Sequence, residues 1–289
     1  MPTQATHAPV STPAFICPVC QLGLILTDNT LRCEQGHSFD RAKQGYWNLL
    51  LVQRKRSKDP GDNPDMVRAR TAFLDQGFYQ PLADHMCKLA SEYTAKTPKG
   101  SVLDLGCGAG FYTAQLAQAL PNTHVYGLDI SKHAIRAATK RSKPLNNLHW
   151  LVATGAQIPL AAHSQDLLIV MFSRLMPVHF AHILKQTGKL ILVWPAANHL
   201  IELRQQIYQD IRPSTFDPVN ELKTHFTLDK VEQLSFTFTL DNRETLDALI
   251  GMTPHSQRIN DDSRERLLKA GPITFTFDVQ IGTFMPRTE

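Results

Sequence analysis

Val102-Leu103-Asp104-Leu105-Gly106-Cys107-Gly108-Ala109-Gly110 carries an apolar strand straight into a glycine-rich turn. Glycines there let the backbone approach a ligand closely and turn without Cβ clashes. The turn follows a strand and opens a helix, which is the context a nucleotide-cofactor loop requires. Its spacing is G-x-G-x-G, not the G-x-G-x-x-G of dinucleotide binders. Asp104 lies inside the motif, and a second acid, Asp129, ends the next strand in Tyr126-Gly127-Leu128-Asp129-Ile130. A carboxylate at that strand end accepts hydrogen bonds from both ribose hydroxyls. The competing role for Asp129, a helix N-cap, is better filled by Ser131. Asp104, Gly106, Gly108, Gly110 and Asp129 together fit S-adenosylmethionine (SAM) better than NAD.

Outward from this turn the pattern alternates strand and helix. Strands are expected at Ser101–Leu105, His124–Asp129, Leu148–Ala153, Asp166–Phe172 and Lys189–Trp194, with helices at Ala109–Leu120, Lys132–Arg141, Phe180–Lys185 and His199–Asp210. Such alternation implies an α/β fold with a mostly parallel, doubly wound sheet. Ser235–Leu240 and Ile273–Ile281 instead alternate apolar and polar residues, which suggests an added antiparallel edge. Residues 153–160 follow the third strand, where such enzymes contact adenine, with Thr154 at a position often held by an acid.

Upstream, Cys17-Pro18-Val19-Cys20, Cys33 and His37 give C-x2-C-x12-C-x3-H. Four thiol or imidazole ligands close a tetrahedral zinc site of the structural kind. A module this small relies on the metal for much of its folding free energy. The chain therefore divides into a zinc-binding ribbon (1–50), a basic linker and helical connector (51–100) and a cofactor-binding domain (101–289). The connector holds Arg54, Lys55, Arg56 and Lys58, read either as a solvated linker or as phosphate contacts. Tyr46 and Trp47 either stack unpaired bases or pack as core.

Apolar content of 43% and charged content of 19% exclude a disordered or fibrous chain. The net charge of +4 tilts it only mildly toward anionic partners. No basic-then-apolar leader pattern opens the chain, and its apolar runs fall well short of a bilayer span, so a cytoplasmic protein without membrane contact is expected. Three of five cysteines sit at metal spacing, which argues against a disulfide framework and leaves Cys87 and Cys107 as interior thiols.

Gln44-Gly45-Tyr46-Trp47-Asn48-Leu49-Leu50, Arg54 to Asp62, Arg68 to Leu82, His199 to Leu203 and Met252-Thr253-Pro254 complete the motifs. With the ribbon and cofactor loop, they resemble the RlmA (RrmA) family of 23S ribosomal RNA guanine-N1 methyltransferases over nearly the whole chain. That resemblance implies a class I, Rossmann-like SAM-dependent methyltransferase domain on a mostly parallel seven-stranded sheet. It implies zinc on Cys17, Cys20, Cys33 and His37, and SAM contacts from Tyr79, Gly108, Ala109 and His199. It also implies a guanine in a hairpin loop of 23S RNA (the hairpin 35 region) as target, and a homodimer.

Methyl transfer from a sulfonium is an in-line displacement governed by positioning, and guanine N1 must lose its proton, so a general base would help. The residues identify no such base; the catalytic set is unknown. Met171-Phe172-Ser173-Arg174 stands where an Asn/Asp-Pro-Pro-aromatic tetrapeptide would signal exocyclic amine methylation. No Pro-Cys pair in the catalytic half supports covalent pyrimidine chemistry. Two other readings stand beside RNA methylation: a small-molecule methyltransferase buttressed by the ribbon, and a non-catalytic RNA-binding protein on this scaffold.

Overall fold

β1 (Ile25–Thr27), β2 (Thr30–Arg32) and β3 (Ser38–Asp40) form a three-stranded antiparallel sheet, and β4 (Trp47–Asn48) leaves it to join a larger one. The computed structural model describes residues 14–54, 57–97, 99–142, 145–212, 214–253 and 258–287. Beyond the ribbon come α1 (Pro64–Leu74) and α2 (Gln80–Thr94), and then β5 (Ser101–Leu105), α3 (Phe111–Ala119), β6 (His124–Asp129), α4 (Lys132–Arg141) and β7 (Leu148–Val152). β8 (Gln165–Met171), α5 (Pro177–Ile183), β9 (Leu184–Pro195), α6 (Ile201–Ile207) and α7 (Pro218–Leu222) follow. The chain ends with β10 (Phe226–Leu240), α8 (Arg243–Met252), α9 (Asp261–Lys269) and β11 (Ile273–Pro286).

The main sheet runs β10-β11-β9-β8-β5-β6-β7-β4. Seven strands form the expected Rossmann-like array, and the short β4 adds an eighth in parallel to β7. Only β11 opposes its neighbours. β5, β7 and β8 are buried along nearly their whole length, because helices cover one face and the ribbon, α5 and α7 help cover the other. Hence their sequences read as unbroken apolar runs. Alternate residues divide between the faces: Val102, Leu167 and Ile169 join one core cluster, while Leu103, Leu168 and Val170 join the other.

The ribbon belongs to that second cluster. Phe15, Leu24, Leu31, Trp47 and Leu49 pack with Tyr126 and Leu151 of the sheet. Tyr46 and Trp47 are both 3% exposed, so they pack as core and offer no surface to a base. Residues 46–50 run along the sheet edge, where the Leu49 N–H donates to the Val152 carbonyl at 2.9 Å.

The antiparallel pair is longer than its sequence pattern suggests. β10 starts at Phe226 rather than near Ser235 and pairs with β11 throughout. Asp229, Lys230 and Glu232 on this edge strand, together with a bulge at Leu228/Lys230, break the alternation that marks a strand. β11 pairs with β9 only from Val279 to Phe284. The rest of the hairpin rises beyond the carboxyl end of β9 and walls that edge with Phe238, Phe275 and Phe277. The short helix after β8 begins at Pro177, not Phe180, and gives way to strand at Leu184.

Candidate functional site

Two backbone turns build the metal centre. The Cys17 N–H donates to the Leu22 carbonyl (2.7 Å) and the Gln21 N–H to that of Cys17 (2.8 Å); the Cys33 N–H bonds the His37 carbonyl at 3.1 Å. The ligand atoms of Cys17, Cys20, Cys33 and His37 all lie within 4.8 Å of one another. Cys20 Sγ is 3.6 Å from Cys33 Sγ, and His37 Nδ1 is 3.3 Å from Cys33 Sγ. A tetrahedral zinc with bonds of roughly 2.3 Å sets its sulfurs about 3.8 Å apart, so donors and spacing fit a closed zinc site. Burial pushes the Cys33 thiol up, but hydrogen bonds with Cys20 and His37 outweigh it and hold the group at about 7. That favours the thiolate a metal needs.

The candidate cofactor site lies at the carboxyl end of β5 and β6. Asp104 is 1% exposed; its Oδ2 accepts from Thr113 Oγ1 at 2.6 Å, and its buried Oδ1 has no hydrogen-bond partner among the described residues. Burial raises Asp104 to about 7, opposed by the Thr113 bond and reinforced by Asp129. Asp129 accepts the Gly108 N–H at 2.9 Å and the Ser131 N–H at 2.8 Å, one on each oxygen. Each oxygen keeps a lone pair for a ribose hydroxyl. Ser131 does cap α4, accepting from the Ala134 N–H. Asp129 is raised as well, by burial first, then by Asp62. Burial disfavours the ionised form of both carboxyls, and a cationic ligand such as SAM, unlike an anionic dinucleotide, would restore it.

The three glycines serve different ends. Gly110 has φ +75, and a methyl group there would strike the Trp150 ring and sit 2.8 Å from Ala138 Cβ. It is needed for packing. Gly108, at φ +54, meets only the Arg70 side chain at 3.5 Å, so ligand approach is what its bareness allows. Gly106 faces Ser173 Oγ. Ala109 is packed with Val67 and Ala134, and its carbonyl accepts from Arg141 Nε at 3.0 Å.

The connector covers this crevice. Asp59 bonds His133 at 2.7 Å, the Asp62 carbonyl accepts from Ser131 Oγ at 2.7 Å, and α1 then lies across the loop. Arg70, on α1, reaches Asp62 at 2.5 Å and the Met252 carbonyl at 3.3 Å beside Gly108. Its place in the site was not signalled by spacing, because Gly108 and Met252 are far from it in the chain. Tyr79 is buried in the aromatic wall, its ring 4.4 Å from Phe277, and its hydroxyl has no hydrogen-bond partner among the described residues. Burial, and then Tyr112, push that hydroxyl well above the ordinary tyrosine range. His199 lies across the same Phe277 ring, at 5.0 Å. Orphaned Asp104 Oδ1 and Tyr79 hydroxyl are the polar atoms a bound SAM would satisfy. Cys107 is the expected buried thiol, whereas Cys87 on α2 is only half-buried; burial raises both, Cys87 to about 11.

Ribbon and crevice touch directly. Gln157 Nε2, in the loop after β7, donates to the Pro18 carbonyl of the first metal turn at 2.6 Å, and the Ile16 N–H donates to Pro159 at 3.2 Å. Thr154 spends its side chain within that loop, accepting from the Ala156 N–H at 3.3 Å. Lys55, Arg56, Pro254 and His255 lie outside the described residues. Among the described residues no helix is long and apolar enough to cross a membrane.

Residues 15–58 match the family described as RlmA, N-terminal, and residues 102–190 the methyltransferase domain. The chain is 30% identical to a Micromonospora griseorubida protein named for 23S rRNA (guanine-N1) methylation, over 95% of this chain and 98% of that one. The chain belongs to the RlmA family. A Bacillus subtilis RlmA relative, YxjB, bears the same assignment and is 30% identical over 93% and 96% of the two chains. The 23S rRNA (guanine(748)-N(1))-methyltransferase of Streptomyces fradiae is 34% identical over 65% of each, so the match spans somewhat under two thirds of that relative. RlmA membership makes this chain a SAM-dependent methyltransferase with a structural zinc ribbon.

Proposed function

We propose that the protein transfers the SAM methyl group to N1 of a guanine in a hairpin loop of 23S ribosomal RNA, in the hairpin 35 region. One observation carries this reading furthest: the metal turn is hydrogen-bonded, through Gln157 and Pro18, to the loop that borders the cofactor crevice. An RNA held by the ribbon is thereby presented to the methyl donor rather than to a distant surface. Residues 1–50 act as recognition module, 51–100 as the basic connector that closes over the cofactor, and 101–289 as the transferase.

SAM, when bound, supplies an electrophilic methyl carbon. Asp129, held in place by the Gly108 N–H, orients the ribose side, Asp104 serves the cationic end, and Tyr79 and Ala109 complete the cradle. His199 accepts the Asp278 N–H on Nδ1 at 3.2 Å. In the neutral ring Nε2 then carries the proton, so this tautomer of His199 does not supply the base that removes the N1 proton. The protein acts in the cytoplasm, where ribosomal RNA is made, and assembles as a homodimer; sedimentation of the purified chain tests the latter.

Mass mapping of 23S RNA from cells with and without this protein tests the reading. A guanine-N1 methyl group present only with the protein is expected. An identical modification pattern in both would sink it.

A further inference from the structure

We propose that Phe172 is the surface on which the target guanine stacks, an assignment that rests on the guanine-methylation reading above. Phe172 directly follows β8, the strand next to β5, and its N–H donates to the Val193 carbonyl at 3.0 Å. Its φ is +52, a backbone region that bulky residues avoid. Among the described residues, six non-glycine positions share that feature, and only Phe172 and Leu200 are apolar. Both flank His199. Leu200 is 2% exposed, so burial explains it; Phe172 is 45% exposed. A strained, solvent-facing aromatic ring contributes little to the fold, and strain of this kind collects at functional sites.

The loop cannot easily turn the ring inward. Ser173 abuts Gly106, Leu175 is buried, and Met176 presses against Gly155. Phe172 lies nearly parallel to the His199 ring (28°, centroids 5.9 Å apart), and His199 in turn packs edge-on against Phe277 (77°). These rings form a short stack that ends at the exposed Phe172. Strand order also separates this surface from the ribose end of the cofactor. The ribose and adenine contacts expected of β6 and the loop after β7 fall on one side of β5, whereas Phe172 sits on the other. A flat, apolar ring on the acceptor side suits a base splayed out of an RNA loop, which proteins capture by stacking.

The test uses full-length, zinc-loaded protein, SAM and a transcribed 23S hairpin RNA. Phe172→Ala and Phe172→Leu should lower kcat/KM for RNA roughly 5- to 150-fold, the range that base–aromatic stacking carries. Phe172→Trp should stay within about threefold of wild type, because its ring stacks as well. SAM affinity by calorimetry should change less than about twofold in all three. Phe172→Gly controls for the backbone: it relieves the strain, should melt no lower than wild type, and should be as impaired as Phe172→Ala. Wild-type kcat/KM in Phe172→Ala or Phe172→Leu would overturn the assignment, as would losses that track SAM affinity. If the wild-type protein itself leaves the RNA unmethylated, the parent reading fails and takes this one with it.

Discussion

Residues 15–41 and residues 101–131 are similar in length but are held in opposite ways. In the ribbon, β1 is exposed at every position, and Val19, Leu22, Ile25 and Leu26 are all more than a third exposed. In the cofactor half, β5 and β6 are buried almost throughout, and the turn between strand and helix is wedged against Trp150. Four ligand atoms organise the first region; close packing organises the second. The ribbon should therefore fail all at once when a ligand is lost. The crevice should respond to added volume and to charge.

Metal removal should have the largest effect. Structural zinc contributes roughly 10–16 kcal/mol to small zinc modules, so Cys33→Ser or chelation should melt the ribbon and abolish RNA methylation. SAM affinity should stay within about threefold. Native mass spectrometry for zinc, with calorimetry for SAM, checks this; full RNA methylation by metal-free protein would show that the ribbon only decorates the fold.

Within the crevice, Gly110→Ala should cost about 2–5 kcal/mol of stability, from the left-handed backbone and the clash with Trp150. Gly108→Ala, which meets only a flexible arginine, should cost about 1–2 kcal/mol and act mainly on SAM binding. Urea unfolding separates the two, and equal losses would erase the distinction drawn between these glycines. Asp129→Ala should weaken SAM by about 1–3 kcal/mol by removing acceptors from a partly buried site; unaltered affinity in calorimetry would mean that the ribose lies elsewhere.

Asp104 gives the crevice a pH dependence of its own. Its folded pKa of about 7 exceeds the ordinary 3.8, so between these values the folded, cofactor-free chain holds a proton that the unfolded chain has released. Its contribution to stability is full below pH 4 and is lost as pH rises through 7. SAM affinity should move the other way, weakening by up to about tenfold per pH unit below 7, because the cation pairs with the ionised carboxylate. Asp104→Asn should flatten both profiles, and a persistent slope would assign the titration to another group. Smallest of all, Gln157→Ala removes one bond between the two regions and should cost about 0.5–1.5 kcal/mol. Hydrogen exchange confined to residues 15–41 would report it; protection left unchanged there would mean the contact does not couple them.

Much of this contrast is legible in the chain. The C-x2-C-x12-C-x3-H spacing and the Asp104-to-Gly110 turn are local patterns, and their geometry follows from a few adjacent residues. Other features are invisible at that range. Arg70 meets Asp62, Gly108 and Met252 only because α1 folds across the loop and α8 returns from far downstream. Tyr46 and Trp47 sit beside a basic cluster and invite an RNA-stacking role, yet the neighbouring sheet edge buries them. Phe172 stands in a tetrapeptide informative at first only for what it was not, since neither exposure nor φ can be read from residue names.

By itself, the amino-acid order determined the α/β alternation, the metal ligands and the acids that flank the cofactor turn, because hydrophobic period and ligand spacing are short-range properties. Tertiary structure alone decided that residues 46–50 extend the main sheet, that the connector lies over the crevice, and that one aromatic ring is left strained and open just past β8. Those outcomes depend on which distant surfaces meet, and packing settles that only once the whole chain is in place.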